Sequence, residues 1–293
     1  MTKEAFIKYL RFEKRMSPHT VLAYSNDLDQ FYLYLKNVYS LDDIKEVNHS
    51  IIRSWIVSLM ENKIIARSVN RKISTLKSYY KFLLREKVLD INPMHKIQSP
   101  KNAKRLPMFV EESKMNALIE DVKFENDFEG KRNLLIIEML YSTGMRRAEL
   151  VGLKESDINF HNSTLKVLGK RNKERLIPLT SGLKTLIKEY IDVRNKAIET
   201  KNNFLIVSKK GNQINPSAVY AAVRDALEKV TTLKKKSPHV LRHTFATHLL
   251  NNGANLNAIK ELLGHASLAA TQVYTHNTIE KLKSVYSKAH PKA

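Results

Sequence analysis

The sequence predicts a mainly α-helical protein with two domains, the second of which carries a small antiparallel β-hairpin. Apolar residues recur with the period of an α-helix along much of the chain. A basic segment with several prolines, residues 99–107, interrupts this period. Residues 157–178 then alternate around a turn-like stretch, as a hairpin does. Apolar residues make up 43% of the 293 residues, which is ample for the core of each domain.

Four amphipathic helices are predicted before the basic segment. The first covers residues 4–14. The second begins at Ser17 and Pro18 and runs to about residue 36, because serine is a preferred N-cap and proline suits the first helical position. The third and fourth begin near Asn48 and Arg67. Four such helices with short connections form a small all-α domain, residues 1–98.

The fourth predicted helix is strongly basic. Its cations are Arg67, Arg71, Lys72, Lys77, Lys81 and Arg85. Few acids compensate them, and serine and asparagine side chains lie between them. One interpretation is a solvated face opposite an apolar stripe. We favour the other, a helix that lies along phosphates or in a major groove of DNA.

The predicted second domain, residues 108–293, follows the linker 99–107. We expect helices at 111–122, 131–143, 181–196 and 215–230, and a short strand at 204–207. Lys170 lies at the tip of the predicted hairpin. A last amphipathic helix covers 278–288. Two domains on either side of a basic linker are suited to close around duplex DNA.

The charge balance points to a polyanionic partner. Lysine and arginine number 50 against 29 acidic residues, which gives a net charge of +21, and nucleic acid is the partner that this charge predicts. The alternative is an excess of lysine that serves only solubility. There is no cysteine, which excludes disulfides, thiolate zinc sites and cysteine nucleophiles. We see no signal peptide and no membrane span, and expect a cytoplasmic protein.

Residues 237–276 gather an unusual density of proton carriers and donors. These are His239, Arg242, His243, His248, His265, Tyr274 and His276. The i, i+4 spacing of His239 and His243 would suit a metal ion, but an arginine lies between them and the glutamate of a zincin is missing. A G-x-S-x-G elbow and a glycine-rich phosphate loop are also missing. We therefore predict no metal and no cofactor.

Metal-free transfer at a phosphodiester fits these residue types better. Its transition state carries extra negative charge on the non-bridging oxygens, so fixed cationic donors must face it. Arginine suits this role because its planar fork bridges two oxygens and stays protonated. Arg146 and Arg242 lie at structured places, and His239 is one turn before Arg242. The nucleophile must then be a tyrosine, a serine or water, and Tyr274 lies nine residues beyond His265; Lys170, at the hairpin tip, is a candidate for the acid that reaches the leaving oxygen.

The order of these residues resembles the tyrosine recombinase, or phage integrase, family and its bacterial Xer subfamily. The matching motifs are TGMRRAEL, LGKRNKERLIPL, SPHVLRHTFATHLL, LLGH and TQVYTH, with SPHTVLAY in the first domain. The resemblance covers nearly the whole chain. It implies an N-terminal four-helix core-binding domain and an α+β catalytic domain. One departure is Arg171, where Xer proteins usually have glycine.

The resemblance also implies roles for six residues. Tyr274 attacks the scissile phosphate to form a 3′-phosphotyrosyl bond, and Lys170 protonates the leaving 5′-oxygen. Arg146 and Arg242 hold the phosphate oxygens. His239 is the general acid/base for the tyrosine, and His265 hydrogen-bonds the phosphate. His243, His248 and His276 are expected to be structural.

The same resemblance implies a biological setting. We expect four protomers on two recombination sites, with a second Xer recombinase, a cell-division DNA translocase and a C-terminal helix that docks on a neighbour. Chromosome dimer resolution at segregation is the expected role. The alternatives are an integrase of a mobile element, a type IB topoisomerase and, from a different class, an architectural DNA-binding protein.

Overall fold

The computed structural model describes residues 2–102, 108–169, 174–200, 202–264 and 276–292. The chain divides into two compact units, Met1–Arg105 and Leu106–Ala293. The first is all-helical and the second is helical with one three-stranded antiparallel sheet, so the predicted fold class is confirmed. In the described parts of the chain, every helix falls short of the length and apolarity needed to cross a membrane.

The described residues of the first unit form four helices, as predicted. They are α1 (Thr2–Lys8), which continues as a π-helical turn at Tyr9–Glu13, α2 (Pro18–Tyr39), α3 (His49–Glu61) and α4 (Ala66–Arg85). Ser17 caps α2 by accepting a hydrogen bond from the Thr20 amide at 3.2 Å. Asn48 caps α3 by accepting from the amides of the second and third residues that follow it. The local start signals in the sequence thus determine where both helices begin.

The core of the first unit is rich in aromatic side chains. The rings of Phe31 and Trp55 lie 4.8 Å apart between α2 and α3, and those of Phe6 and Tyr79 lie 5.1 Å apart between α1 and α4. Each such pair contributes about 0.5–1.5 kcal/mol beyond the burial of its area. With the buried aliphatic residues around them, these rings belong to one core that all four helices share.

Some of the cations predicted to form a basic face on α4 are buried or ion-paired within the first unit. Lys72 is buried and donates to the buried carboxylate of Asp27 at 3.0 Å. Arg71 also pairs with Asp27, and Thr75 donates to it at 2.9 Å. Arg85 pairs with Glu13 and Glu86. The sequence pattern missed these pairs because the compensating acids lie on other elements or beyond the helix end. Every cation of α4 except Lys72 is exposed; Arg71 and Arg85 are ion-paired, which leaves Arg67, Lys77 and Lys81 without an ion pair to the described residues.

The second unit is built around one buried helix. Its elements are α5 (Glu112–Glu120), α6 (Phe128–Thr143), α7 (Arg147–Val151), β1 (Ile158–Asn159), β2 (Thr164–Leu168), β3 (Glu174–Pro178), α8 (Ser181–Ala197), α9 (Pro216–Val230), α10 (Pro238–Asn251), α11 (Leu256–Leu263) and α12 (His276–Ala289). Leu135, Ile136 and Leu140 of α6 are fully buried. A helix that is apolar on nearly all sides lies inside the core, and α8, α9 and α10 pack around it.

The sheet has the order β1-β2-β3, and both pairs are antiparallel. Leu165 pairs with Ile177, and Val167 pairs with Arg175. The predicted hairpin is therefore present, with a short third strand added at its edge. Lys170 and Arg171 lie outside the described residues.

The strand predicted at residues 204–207 is not formed. Phe204 and Val207 make only isolated bridges, to Lys154 and Gln213. The carbonyls of Phe204 and Leu205 instead accept hydrogen bonds from the buried Arg194 guanidinium. The apolar run that suggested a strand reflects burial of this segment beside α8.

We expect the Asp27 cluster to dominate the stability of the first unit. The change Asp27→Ala leaves the Lys72 ammonium buried without its carboxylate, which costs about 3–5 kcal/mol of unfolding free energy. Denaturant unfolding of the full chain measures this loss. The control is Asp29→Ala on the same helix, because Asp29 is exposed and pairs with Lys3 at the surface; we expect about 1 kcal/mol or less. Equal losses of unfolding free energy in Asp27→Ala and Asp29→Ala would contradict the dominant role of the Asp27 cluster.

Candidate active site

The structure brings three of the six predicted site residues together. Arg242 donates from Nη1 to the carbonyl of Gly144, two residues before Arg146, at 2.5 Å. His239 lies in the first turn of α10, one turn before Arg242. The other three, Lys170, His265 and Tyr274, lie outside the described residues. The last described residue before His265 is Gly264, which ends α11.

Arg146 is placed by the end of α6 and the start of α7. Gly144 ends α6 with φ of +59°, and a Cβ there would lie 2.4 Å from Phe245 Cδ1, so glycine is required. Glu149 then contacts both the backbone amide and the guanidinium of Arg146. Its Oε2 accepts from the Arg146 amide at 2.7 Å, and its Oε1 accepts from Nη1 at 2.8 Å. This fixes the guanidinium while leaving about a third of the side chain exposed.

Arg242 projects from α10, which begins at Pro238 after the N-cap Ser237. Its Nη2 donates to the carbonyl of Leu263 at 2.7 Å. Desolvation and then the charge of Arg146 lower the pKa of Arg242 to about 10, with Arg175 acting in the same direction. The group therefore stays protonated at neutral pH, in surroundings that favour an added anion.

His239 is surrounded by cations. Desolvation, followed by the charges of Lys235, Arg147, Arg242 and Arg146, lowers the pKa of the His239 imidazole below its usual value. Because that usual value is about 6.5, the ring is neutral near pH 7. A neutral imidazole is able to accept a proton.

Two residues that sequence reasoning missed complete this arrangement. Arg175 of β3 donates to both carboxylate oxygens of Glu149, at 3.1 and 2.8 Å, and to the carbonyl of Leu262 at 2.8 Å. Burial alone would raise the pKa of Glu149, but hydrogen bonds and charge from Arg175 and Arg146 lower it overall. The available signals were the i, i+3 spacing of Arg146 and Glu149 and the position of Arg175 on the same strand face as Ile177.

The remaining histidines have other surroundings. His248 is buried, donates from Nε2 to the carbonyl of Val110 at 2.8 Å and accepts at Nδ1 from the Tyr141 hydroxyl at 2.9 Å. Both ring nitrogens are used, as expected of a structural histidine. His243 is half-buried on α10. Among the described residues, no three His, Asp or Glu side chains come together as a metal site requires.

We expect Lys235 to contribute specifically to the charge around His239. The change Lys235→Ala should raise the pKa of His239 toward its ordinary value, because one cation that disfavours the imidazolium is removed. An NMR titration of the imidazole measures this. Lys236→Ala is the control, since Lys236 lies 3.6 Å from the carboxylate of Glu228. Equal shifts of the His239 pKa in the two variants would contradict this prediction, because they would show that the pKa depends only on the net charge of the protein.

Comparison with known proteins agrees with the resemblance seen in the sequence. The profile of the phage integrase family matches residues 108–281, and that of the phage integrase N-terminal SAM-like domain matches residues 4–87. The tyrosine recombinase XerC of Anoxybacillus flavithermus is 37% identical over 100% of this chain and 98% of its own. The tyrosine recombinase XerC of Pelobacter propionicus is 41% identical over 99% of this chain and 95% of its own.

A solved structure supports the same fold. The XerH site-specific recombinase bound to palindromic difH substrate, in a post-cleavage complex, superimposes with a TM-score of 0.73 at 22% identity. The match covers 97% of this chain and 83% of that one. The chain therefore belongs to the phage integrase family of tyrosine recombinases, the DNA strand-exchange enzymes of site-specific recombination.

Proposed function

We propose that this protein cuts and rejoins double-stranded DNA at specific sites through a 3′-phosphotyrosyl intermediate on Tyr274. The observation that carries the proposal is the convergence of Arg146 and Arg242 at the end of α11, with His239 one turn before Arg242. Two fixed guanidinium groups beside a neutral imidazole suit metal-free transfer at phosphorus.

The two arginines are the proposed phosphate ligands. Each uses its contacts to the protein to fix the plane of the guanidinium, and each retains further N–H groups, since a guanidinium carries five. A phosphodiester that binds between them receives charge-assisted hydrogen bonds on its non-bridging oxygens. These contacts strengthen as negative charge builds up in the transition state, so they accelerate the reaction.

The proposed reaction is a reversible transesterification. The Tyr274 oxygen forms a bond to phosphorus as its proton passes to His239, whose lowered pKa leaves the ring neutral and able to accept it. The bond to the 5′-oxygen breaks, and Lys170 supplies the proton to that oxygen. His265 hydrogen-bonds the phosphate. Attack by the 5′-hydroxyl of a partner strand then releases the tyrosine, so the phosphodiester is restored without ATP.

The proposed biological role is chromosome dimer resolution. Full-length similarity to proteins named tyrosine recombinase XerC supports it. The proposal includes a tetramer on two recombination sites, a second Xer recombinase, a cell-division DNA translocase and a cytoplasmic location. The net charge of +21 and the exposed cations of α4 support DNA binding by this chain.

A nicked suicide substrate tests the chemistry. The nick lets the short 5′-hydroxyl fragment diffuse away, so the covalent protein–DNA adduct accumulates. We expect the wild-type chain to form this adduct and Tyr274→Phe to form none, because the nucleophilic oxygen is missing. Tyr220→Phe is the control, since Tyr220 lies on the partly exposed surface of α9. Absence of an adduct with the wild-type chain would refute the proposed function.

The C-terminal helix offers a route to assembly. In the single chain α12 packs on its own unit: Leu282 and Tyr286 are buried, and the Tyr286 hydroxyl donates to the carbonyl of Ser142 at 2.7 Å. Lys292 beyond it pairs with Glu120 of α5 at 2.6 Å. We propose that the same contacts form between protomers in the DNA-bound tetramer, as an exchange of identical elements permits.

Engineered cysteines with a bifunctional thiol-reactive cross-linker test this exchange cleanly, because the chain has no cysteine of its own and the reagent spans the length of the two side chains that a direct disulfide does not. In a mixture of Glu120→Cys and Lys292→Cys chains, the reagent can join position 120 to position 292 only between protomers. We expect a covalent dimer on DNA and none without it, whereas the double variant is cross-linked within one chain without DNA. A mixture of Lys292→Cys with Glu189→Cys, an exposed position on α8, should give no dimer. Mixed complexes that cleave DNA without cross-linking would contradict the exchange.

A further inference from the structure

Three consecutive carbonyls at the end of α11 each accept a hydrogen bond from a different arginine. The carbonyl of Leu262 accepts from Arg175 at 2.8 Å, that of Leu263 from Arg242 at 2.7 Å, and that of Gly264 from Arg146 at a long 3.5 Å. The last carbonyls of a helix lack partners within the helix and carry its negative dipole end. This helix end therefore attracts three guanidinium groups, two of which are the proposed phosphate ligands.

Arg175 differs from the other two arginines in its exposure. Its side chain is 4% exposed, against 36% for Arg146. The carboxylate that it contacts, Glu149, is 5% exposed. A guanidinium so deeply buried is in no position to ligate a phosphate that enters from solvent. Whatever Arg175 does for the reaction, it does through the groups that it contacts.

Glu149 contacts both Arg175 and Arg146, so the position of Arg175 affects that of Arg146 through this carboxylate. Its Oε1 accepts from both Arg146 Nη1, at 2.8 Å, and Arg175 Nη1, at 3.1 Å, while its Oε2 accepts from Arg175 Nη2 and from the Arg146 amide. Without Arg175 the carboxylate keeps its two contacts to Arg146 but loses the bidentate cationic partner on its other side. The fork of Arg175 on both oxygens therefore determines the direction in which Glu149 presents itself to Arg146.

Arg175 also attaches the sheet to this site. It lies one residue after the start of β3, opposite Val167 of β2, and β2 ends at Leu168, two residues before Lys170. A Cβ at Gly264, whose φ is +62°, would lie 3.1 Å from Arg175 Cδ, so the end of α11 packs closely on this side chain. The base of the hairpin is thus joined to α7 and α11 through one residue.

We propose that Arg175 is a positioning residue, which orients Arg146 through Glu149 and fixes the end of α11 and the base of the β2–β3 hairpin for phosphate transfer. The inference rests on the proposed function. It adds a third arginine to that site, one that acts without touching the DNA.

Variants of Arg175 and a matched buried arginine test the inference. Arg194 is the control, because it is 2% exposed, pairs with Glu155 at 2.7 Å and donates to two carbonyls, but lies on α8 away from this cluster. We expect Arg175→Met to lower the single-turnover cleavage rate at saturating nicked DNA about 10–100-fold, the range typical of groups that orient a functional side chain. DNA affinity should change much less. Arg194→Met should lose thermal stability to a similar extent and cleave at the wild-type rate.

The pH dependence of cleavage gives a readout that a merely structural role would not alter. Glu149 faces Arg146 and Arg175, and Arg242 lies nearby. Removing Arg175 takes away a cation while the burial of Glu149 remains, so the pKa of Glu149 rises. Arg175→Met should therefore lose rate as the pH falls through this raised pKa, in addition to the acid limb that protonation of His239 produces in the wild-type chain as well. The double variant Arg175→Met/Glu149→Gln should not show this additional loss of rate at low pH, because glutamine does not titrate.

The possible results separate the two proposals. A wild-type rate and pH profile in Arg175→Met would overturn the positioning role, as would a loss no larger than in Arg194→Met. If Arg175→Met does not fold, Arg175→Lys decides, because it keeps the charge but lacks the fork. We expect it to fold and cleave slowly, and cleavage at the wild-type rate would overturn the inference. If the wild-type chain forms no adduct at all, the proposed function fails, and this inference fails with it.

Discussion

Repulsion between like charges is the constraint on which the catalytic unit depends. Arg146 and Arg175 each lower the pKa of Arg242, and two unit charges about 4 Å apart repel by about 4 kcal/mol at an effective dielectric constant of about 20. The carboxylate of Glu149 and the carbonyls at the end of α11 hold these cations together. Positive charge is thereby concentrated where a phosphate is proposed to bind, and the phosphate supplies the compensation that the protein leaves incomplete.

In the first unit, paired charges stabilise the contact between two helices. Asp27 is buried and gathers Arg71, Lys72 and Thr75, so its charge and hydrogen bonds stabilise the contact between α2 and α4. The cations of α4 that remain exposed are available to an external anion. In each unit the buried charge is paired within the protein, and the exposed excess is what gives the chain its affinity for a polyanion.

In the proposed tetramer the C-terminal helix links folding to assembly. The buried Tyr286 hydroxyl donates to the carbonyl of Ser142, and the Asn252 amide donates to the carbonyl of Ala289 at 3.0 Å. A helix with such contacts leaves its own unit only if an identical helix replaces it, because the exposed core and unpaired polar groups would otherwise destabilise the unit. Exchange between protomers satisfies this condition, whereas simple detachment does not.

Caps, glycine stops and apolar periods are local signals, so most helices and the candidate residues of the site could be predicted from the sequence alone. The sequence predicted α2 from Ser17 and Pro18, and the order of its residues indicated Arg146, His239 and Arg242 as candidates for the site. The strand predicted from the apolar run at residues 204–207 was wrong, because burial beside Arg194 produces the same apolar pattern as a strand. Which charges accompany the candidate site depends on how distant parts of the chain fold together. Arg175 and Glu149 are 26 residues apart on different elements, and an ion pair between distant elements leaves no periodic trace along the chain.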